Sequence, residues 1–298
     1  MQLEELSPTT KAWLSSGDHI EVEGKRIFVV ERGSGPVLLL MHGYPTSAYD
    51  WQGVMGLLAG SYRCVAFDFP GFGLSDKPAA YSYSLFQQAD VVEGVARALG
   101  IDSAHVVSHD MGTSVHCELL ARQQEGRPAF SIARSTFLNG SMLQWRATIT
   151  IFQKLLASNE TLPQAIELCN TGLDAYVNGL KAIMKKPNVV SEDDATAMLE
   201  LLRYQDGHRR LPAIAGYMRE RYVNGERWLG ALSATNAPLQ FVWADGDPIA
   251  NIEMGREMHQ LYPNARYTEL PGLGHFLLME DPAAVAREIR TFAEGDAQ

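Results

Sequence analysis

The segment VVSHDMGTSV, residues 106–115, constrains the fold of this chain more than any other short stretch. A run of β-branched and small residues that ends at Ser108 predicts a buried strand, and residues 113–124 predict a helix. Between them only a sharp turn fits, with Asp110 between the small residues Ser108 and Gly112. Strand, sharp turn and helix is also the setting of a G-x-S-x-G nucleophile. The pattern therefore indicates a nucleophile position that holds a carboxylate where other proteins hold a hydroxyl.

Short β-rich runs alternate with helical runs on both sides of this turn, which predicts an α/β fold with a mostly parallel sheet covered by helices. The two earliest strands are joined at Glu23-Gly24, which predicts an antiparallel hairpin and hence a mixed sheet. Strands are predicted at 20–22, 27–31, 37–41, 64–67, 105–108, 135–138, 239–243 and 266–269, and helices at 85–99, 114–124, 254–261 and 282–292.

The interval from about 140 to 232 contains no convincing strand and predicts several helices, over 149–157, 162–179, 192–202 and 211–222. A helical block between two strands of one sheet predicts a lid over the carboxyl edge, where open α/β sheets bind ligands. We therefore expect a single domain, residues 1–298, with a core of 1–139 and 233–298 and a lid at about 140–232.

Composition narrows the class of protein. The chain is 46% hydrophobic and 20% charged, as in ordinary globular proteins, and no apolar run is long enough to span a bilayer. The acidic, polar start does not resemble a signal peptide, and three widely spaced cysteines favour a reducing compartment. A net charge of −10 argues against nucleic acid as a partner. A soluble, cytoplasmic protein without a membrane partner is the expectation.

Three other loops follow predicted strands. HGYPTSAYDW, residues 42–51, begins with a glycine turn that suits an oxyanion site, and WADGDP (243–248) and GLGHF (272–276) supply an acid and a histidine. With Asp110 these give the chain order nucleophile, acid, histidine. Each loop alone is explained by an ordinary turn with a polar residue. Chance does not readily explain all of them in this order, each at the carboxyl end of a predicted strand. His105 and His109 lack the further ligands of a metal site, so no metal is predicted.

The motifs HGYP, SHDMG, DGDP and GLGH, in this order, resemble the α/β-hydrolase superfamily over residues 20–293. The aspartate in the nucleophile turn and the HG-x-P loop make the chain similar to the branch that holds epoxide hydrolases and haloalkane dehalogenases. The stretch 204–228, together with the HGYP and SHDMG motifs, looks most like hydrolases of the mesoderm-specific-transcript type, which are described as epoxide-hydrolase-like. The implied fold is a mostly parallel twisted sheet, flanked by helices, with an inserted helical cap.

The resemblance also implies roles for individual residues. Asp110 is the implied nucleophile, His275 the base, and Asp247 the acid that orients the histidine, with Asp245 as a rival for the last role. The oxyanion hole is expected from two backbone N–H groups, and the Tyr44–Pro45 bond is expected to be cis. The remaining assignments are Tyr44 and Met111 for the oxyanion hole, Tyr217 as lid acid, and Tyr204, Tyr176 and Trp145 as substrate-binding candidates.

The implied activity is that of an epoxide hydrolase without a cofactor. Asp110 attacks a ring carbon to form an alkyl ester, and water activated by His275 and Asp247 releases a vicinal diol. The alternatives are a haloalkane or haloacid dehalogenase with the same triad, and a binding protein that has lost turnover. Haloalkane dehalogenases carry Trp directly after the nucleophile and often Asn after the HG pair, and fluoroacetate dehalogenases carry Arg after the nucleophile. This chain has Met111 after the nucleophile position and Tyr44 after the HG pair. The expected partners are a small hydrophobic epoxide and water, with the protein a monomer or homodimer.

Overall fold

The apolar runs of the sequence form the strands of one sheet. The protein is described by a computed structural model over residues 3–295, except for the side chains of residues 3, 157, 173 and 174. Eight strands are present among these residues: β1 (Asp18–Val22), β2 (Lys25–Arg32), β3 (Val37–Met41), β4 (Arg63–Phe67), β5 (Ser103–His109), β6 (Ser131–Leu138), β7 (Leu239–Ala244) and β8 (Arg266–Leu270). Their spatial order is β1-β2-β4-β3-β5-β6-β7-β8.

The sheet is mixed at one edge and parallel elsewhere. Strand β2 runs antiparallel to β1 and β4, and all other neighbouring pairs are parallel. Glu23 and Gly24, with φ values of 50° and 70°, form the predicted hairpin turn, which needs positive φ at both central residues. The predicted α/β-hydrolase fold, with its mostly parallel sheet, is confirmed.

Helices cover both faces of the sheet. The helix that follows β5 is buried without interruption from Met111 to Arg122, because it packs against the sheet and against a later helix. Outside the segment between β6 and β7, the helices are α1 (Pro8–Ser15), α2 (Gln52–Leu58), α3 (Leu85–Ala98), α4 (Met111–Gln124), α11 (Ile252–Leu261), α12 (Leu277–Glu280) and α13 (Pro282–Glu294). Within residues 3–295, none of the helices is both long and apolar enough to cross a membrane.

The chain between β6 and β7 contains helices and no strand among its described residues, and we call its residues 140–238 the helical insertion. Two of its predicted helices are wrong in extent. The predicted helix 162–179 is divided at Gly172, and the predicted helix 211–222 is interrupted after Ile214. The helices of the insertion are α5 (Ile151–Ala157), α6 (Leu162–Thr171), α7 (Leu173–Lys181), α8 (Glu192–Arg203), α9 (Leu211–Ile214) and α10 (Tyr217–Ala234).

Helix α1 was not predicted, although its sequence carries a start signal. Ser7 caps the helix by accepting a hydrogen bond from the Thr10 N–H, and Pro8 occupies the first turn. The side chains of Ser7 and Thr10 also donate to the carboxylate of Glu200 on α8, over 2.8 and 2.5 Å. This buried acid therefore joins the N-terminal helix to the helical insertion.

Candidate active site

Asp110 lies at the turn between β5 and α4, as predicted. It is 3% exposed and has a φ of 46°, a value that non-glycine residues adopt rarely and that occurs at functional turns. The turn is held because Asp110 N–H donates to the Leu138 carbonyl over 3.3 Å and its own carbonyl accepts from the Thr113 hydroxyl over 2.6 Å. The sharp turn therefore places a buried carboxylate at the N-terminus of a helix, where the helix dipole favours negative charge.

Glycine on the neighbouring HGYP loop makes room for this carboxylate. A Cβ atom at Gly43 would lie 2.5 Å from Asp110 Cβ, which no side chain tolerates. Because the loop comes so close, the Tyr44 N–H donates to Asp110 Oδ1 over 2.9 Å. Met111, the second predicted oxyanion donor, is the fully buried first residue of α4. The Tyr44–Pro45 bond is cis, as predicted.

His275 and Asp247 come together from the loops after β8 and β7. The His275 Nδ1–H donates to Asp247 Oδ2 over 2.8 Å, while Nε2 lies 3.9 Å from Asp110 Oδ2. The other oxygen of Asp247 accepts from the N–H groups of Ile249 and Ala250 over 2.7 and 3.2 Å. The imidazole thus has one nitrogen bonded to Asp247 and the other directed at the carboxylate of Asp110.

The rival acid is occupied elsewhere. Asp245 Oδ1 accepts from the Gly272 N–H over 2.8 Å, within the loop that leads to the histidine. Its side chain therefore supports that loop, and the contact to His275 is made by Asp247. The structure brings the three predicted triad residues into one constellation.

The charges of the triad depend on one another. Burial by itself would raise the pKa of Asp110, but Arg221, His275, His109 and the Tyr44 N–H outweigh it and lower that pKa. Burial opposes the charged form of His275, yet Asp247 and Asp110 raise its pKa to about 9. At neutral pH the resting site therefore holds a carboxylate at Asp110 that faces an imidazolium.

Tyr217 reaches the site from the first turn of α10. Its side chain is 1% exposed, and the guanidinium of Arg221, one helical turn later, lies over its ring at 4.6 Å from the centroid. Burial and Asp110 raise the pKa of the Tyr217 phenol, while Arg221 and Gln153 lower it, and the net shift is upward. The phenol therefore keeps its proton at neutral pH and is available as a donor.

Helix α10 is fixed to the core on its buried side. Arg221 donates to Ser114 Oγ over 2.8 Å and to the carbonyl of Asp110 over 3.1 Å. Further along the helix, Arg227 and Trp228 donate to the buried carboxylate of Glu118 on α4, over 2.8 and 3.0 Å. These bonds hold α10 against α4 and set the position of Tyr217.

A cavity of about 380 Å³ lies between the triad and the helical insertion. Asp110, His275 and Tyr217 line it together with Tyr44 and Tyr176. The rest of its wall is mostly apolar and comes largely from the insertion, including Phe152, Leu168, Leu180, Ile183, Leu202 and Leu211. Such a cavity, apolar with a few convergent polar groups, is typical of a small-molecule site.

Trp145 and Tyr204 are placed outside this cavity wall. Trp145 is 62% exposed and donates to Glu257, because the chain before α5 runs along the surface beside α11. Tyr204 is buried, but its ring lies 5.0 Å from Lys77 Nζ and its hydroxyl accepts from Gln205. Tyr176 does line the cavity, although its hydroxyl is already bonded to the Pro45 carbonyl over 2.9 Å. Of the three predicted substrate-binding residues, the structure therefore places only Tyr176 in the cavity wall.

A comparison with known proteins supplies the family. Residues 37–288 match the profile described as alpha/beta hydrolase family, which spans most of the chain. This chain belongs to the alpha/beta hydrolase family. Like the fold, the resemblance to its epoxide-hydrolase and haloalkane-dehalogenase branch is confirmed.

Similar proteins cover almost the whole of this alpha/beta hydrolase. LipZ of Mycobacterium tuberculosis, named as a hydrolase, is 39% identical over 94% of this chain and 96% of its own. The human mesoderm-specific transcript homolog protein is 32% identical over 93% of this chain and 86% of its own. Epoxide hydrolase 1 of Caenorhabditis elegans is 24% identical over 92% of this chain and 69% of its own. The solved haloalkane dehalogenase DbeA from Bradyrhizobium elkani superposes with a TM-score of 0.79 at 24% identity, covering 94% of this chain and 98% of its own.

Sequence reasoning missed two residues of the site. Asn139 directly follows β6 and donates from its side-chain Nδ2 to Asp247 Oδ2 over 2.6 Å, while its side-chain Oδ1 accepts from the Ala244 N–H. A polar residue at a strand's carboxyl end was the signal used for the triad, so Asn139 was detectable by the same rule. Arg221 was not, because only the packing of α10 on α4 brings it to Asp110.

In the described part of this hydrolase, no group of three or more His, Cys, Asp or Glu side chains is arranged to hold a metal ion. His105 bonds to Thr136, and His109 donates to the His275 carbonyl over 2.8 Å. His105 therefore bonds β5 to β6, and His109 bonds β5 to the loop that carries His275.

Proposed function

We propose that this alpha/beta hydrolase opens epoxides to vicinal diols through a covalent alkyl ester on Asp110. One observation carries the proposal: a buried carboxylate stands at the nucleophile turn, 3.9 Å from an imidazole that is paired with a second buried acid. A carboxylate is a poor nucleophile for an acyl carbon but is suited to displacing a leaving group from an sp³ carbon. The reaction class therefore follows from the residue type at this turn.

In the first step an oxygen of Asp110 bonds to a ring carbon. The carbon–oxygen bond of the ring breaks, and the ring oxygen keeps the bonding pair while accepting the proton of the Tyr217 phenol. An alkyl ester of Asp110 and a phenolate result, and nothing leaves the molecule. Tyr217 suits this role because it is protonated, lines the cavity with Asp110 and is held by Arg221.

In the second step water attacks the carbonyl carbon of the ester. His275 takes the proton of this water, and the backbone N–H of Tyr44 stabilises the oxyanion, a role supported by its hydrogen bond to Asp110 Oδ1. Before this attack, esterification has removed the negative charge that helps to raise the pKa of His275, so its proton passes to the Tyr217 phenolate and the imidazole is neutral when a base is required. Collapse of the tetrahedral intermediate passes the acid proton formed at Asp110 to the departing alkoxide and releases the diol. The carboxylate of Asp110 is regenerated, and the proton taken from water stays on His275, as in the resting site.

The experiment is to trap the ester with His275→Gln. Without a positioned base the ester hydrolyses slowly, so intact-mass spectrometry after mixing with an epoxide that the wild type turns over should show an adduct with the full mass of the epoxide. Peptide mapping should place it on the peptide that contains Asp110, and the double variant Asp110→Asn/His275→Gln is the matched control without adduct.

Each other outcome contradicts the proposal in a defined way. A haloalkane that forms an adduct of its mass less hydrogen halide, while no epoxide is turned over by the wild type, would establish dehalogenation as the activity. If the wild type hydrolyses an epoxide and the His275→Gln variant forms no adduct, water attacks the ring directly. Absence of turnover on a panel of aryl, aliphatic and terpene epoxides and of haloalkanes would favour a binding protein.

A further inference from the structure

The turn that follows α7, residues 183–186, packs against the loop that carries His275. The backbone N–H of His275 donates to the Ile183 carbonyl over 2.9 Å. A Cβ atom at Gly274 would lie 2.6 Å from the same carbonyl oxygen and 2.7 Å from the Lys185 nitrogen, so only glycine allows this close approach. Because Ile183 also lines the cavity, one backbone hydrogen bond joins the wall formed by the insertion to the proposed base.

Glu280, the last residue of α12, bonds this turn to the histidine loop. Its side chain is 4% exposed and accepts from the backbone N–H groups of Lys185 and Lys186, each over 2.9 Å. Both of its oxygens also accept from the Gly274 N–H over 3.0 Å. Hydrogen bonds to a carboxylate are stronger than those between neutral groups. One buried side chain therefore holds the insertion and the histidine loop together.

The core supports His275 from other directions. Its carbonyl accepts from His109 Nε2 over 2.8 Å, at the end of β5, and its ring is oriented by Asp247. The core thus fixes the carbonyl side and the ring of the histidine. The N–H side depends on the turn 183–186, and Glu280 holds that turn in place.

We propose that Glu280 is a positioning residue for His275 and acts through the turn 183–186. The inference rests on the proposed function, because it concerns the step in which His275 activates water. That water must lie within hydrogen-bond reach of the imidazole and of the ester carbon at once, so a small displacement of the histidine slows the step. The described wall of the cavity does not include Glu280, so the attack by Asp110 should not depend on it.

The test compares the two chemical steps in the variant Glu280→Gln. The amide keeps the volume of the side chain but places an N–H group where one oxygen now faces a backbone donor. Hydrolysis of the alkyl ester should slow about 10-fold, while alkylation, measured by rapid quench, stays within about twofold of the wild type. The ester should therefore accumulate during turnover, with kcat and KM lowered together and kcat/KM unchanged. Intact-mass spectrometry measures the fraction of protein that carries the mass of the epoxide.

Glu200→Gln is the matched control. Glu200 is also a buried acid of the chain that accepts from three donors, the Ser7 N–H and the hydroxyls of Ser7 and Thr10, but it bonds α8 to the N-terminal helix. Both variants should lower the thermal stability, whereas Glu200→Gln should keep the wild-type kcat, KM and amount of ester.

Glu280→Asp is the second variant. It keeps the charge and withdraws the carboxylate by one methylene, so it should lower kcat and KM together in the same way. It supplies the test if Glu280→Gln does not fold.

Two results would overturn the inference. Equal slowing of alkylation and ester hydrolysis in the Glu280 variants would leave this residue a structural role only. Wild-type kinetics in the folded variants would show that His275 does not depend on it. In both cases, accumulation of the ester in His275→Gln would leave the proposed function intact. If the wild type hydrolyses no epoxide and His275→Gln forms no ester, the proposed function fails and this inference fails with it.

Discussion

On the sheet side of the cavity, Asp110, His275 and Asp247 are hydrogen-bonded to backbone groups or to other buried polar groups. The helical insertion, in contrast, lines the cavity mostly with apolar side chains. Asp247 accepts four hydrogen bonds there, from Ile249, Ala250, Asn139 and His275. The insertion contributes Tyr217 to the site from α10, a helix that is hydrogen-bonded to α4. Changes on the sheet side should therefore affect the chemical steps, and changes in the insertion wall should affect substrate binding.

The largest effect is expected at the nucleophile. Asp110→Asn should lower kcat by about 10⁴-fold or more, because no other residue replaces the attacking carboxylate. Asparagine is preferred to alanine for this test, since it tolerates positive φ better at a residue with φ of 46°. Turnover should be measured beside circular dichroism and thermal unfolding, and substantial activity in the folded variant would refute the assignment.

Asn139→Gly comes next, as a change on the sheet side that leaves all three triad residues in place. Glycine accommodates the φ of 39° at this position but removes both hydrogen bonds of the side chain. Loss of a bond to the charged Asp247 should lower kcat about 10- to 100-fold with little change in KM. Steady-state kinetics measure this, and a change confined to KM would show that Asn139 does not orient the acid.

Phe152→Ala tests the insertion wall. Phe152 lines the cavity from α5, and removal of its ring takes away apolar contact with a bound substrate. We expect KM to rise about 10-fold while kcat changes by less, consistent with roughly 1.5–3 kcal/mol for burial of such a side chain. A loss in kcat as large as that of Asn139→Gly would show that the two sides are not distinct.

The pKa of His275 provides a smaller, spectroscopic test of the sheet side. Asp110 raises this pKa, together with Asp247, to about 9 against the opposing effect of burial. The neutral side chain of Asp110→Asn removes one raising charge, so the imidazole should titrate at lower pH than in the wild type. NMR titration of the histidine measures the shift, and an unchanged or higher pKa would contradict the coupling on which the second step depends.

The smallest effect is expected for Trp145→Ala, the control for Phe152→Ala within the insertion. Trp145 is exposed and bonded to Glu257 at the surface, so kcat and KM should remain within about twofold of the wild type. Steady-state kinetics on the same epoxide decide this. A marked rise in KM would place Trp145 in contact with substrate after all.

The sequence by itself determined the sheet, the nucleophile turn and the chain order of the triad. Strands have a short period and distinct boundaries, and polar residues directly after them must meet at the same edge of a parallel sheet. Asp110 and His275 could therefore be placed without coordinates, whereas the choice of Asp247 over Asp245 depended on the family resemblance. The helix breaks in the insertion were not predicted, because the sequence patterns around Gly172 and after Ile214 would also suit continuous helices.

Only the tertiary structure decided which side chains of the insertion reach the cavity. Trp145 and Tyr217 are both aromatic residues of the same segment, yet the first lies at the surface and the second is buried beside the nucleophile. The position of Tyr217 depends on how α10 packs on α4, and that of Trp145 depends on how the chain before α5 runs beside α11. Arg221 reaches Asp110 in the same way, because contacts between distant helices and loops leave no local period in the sequence.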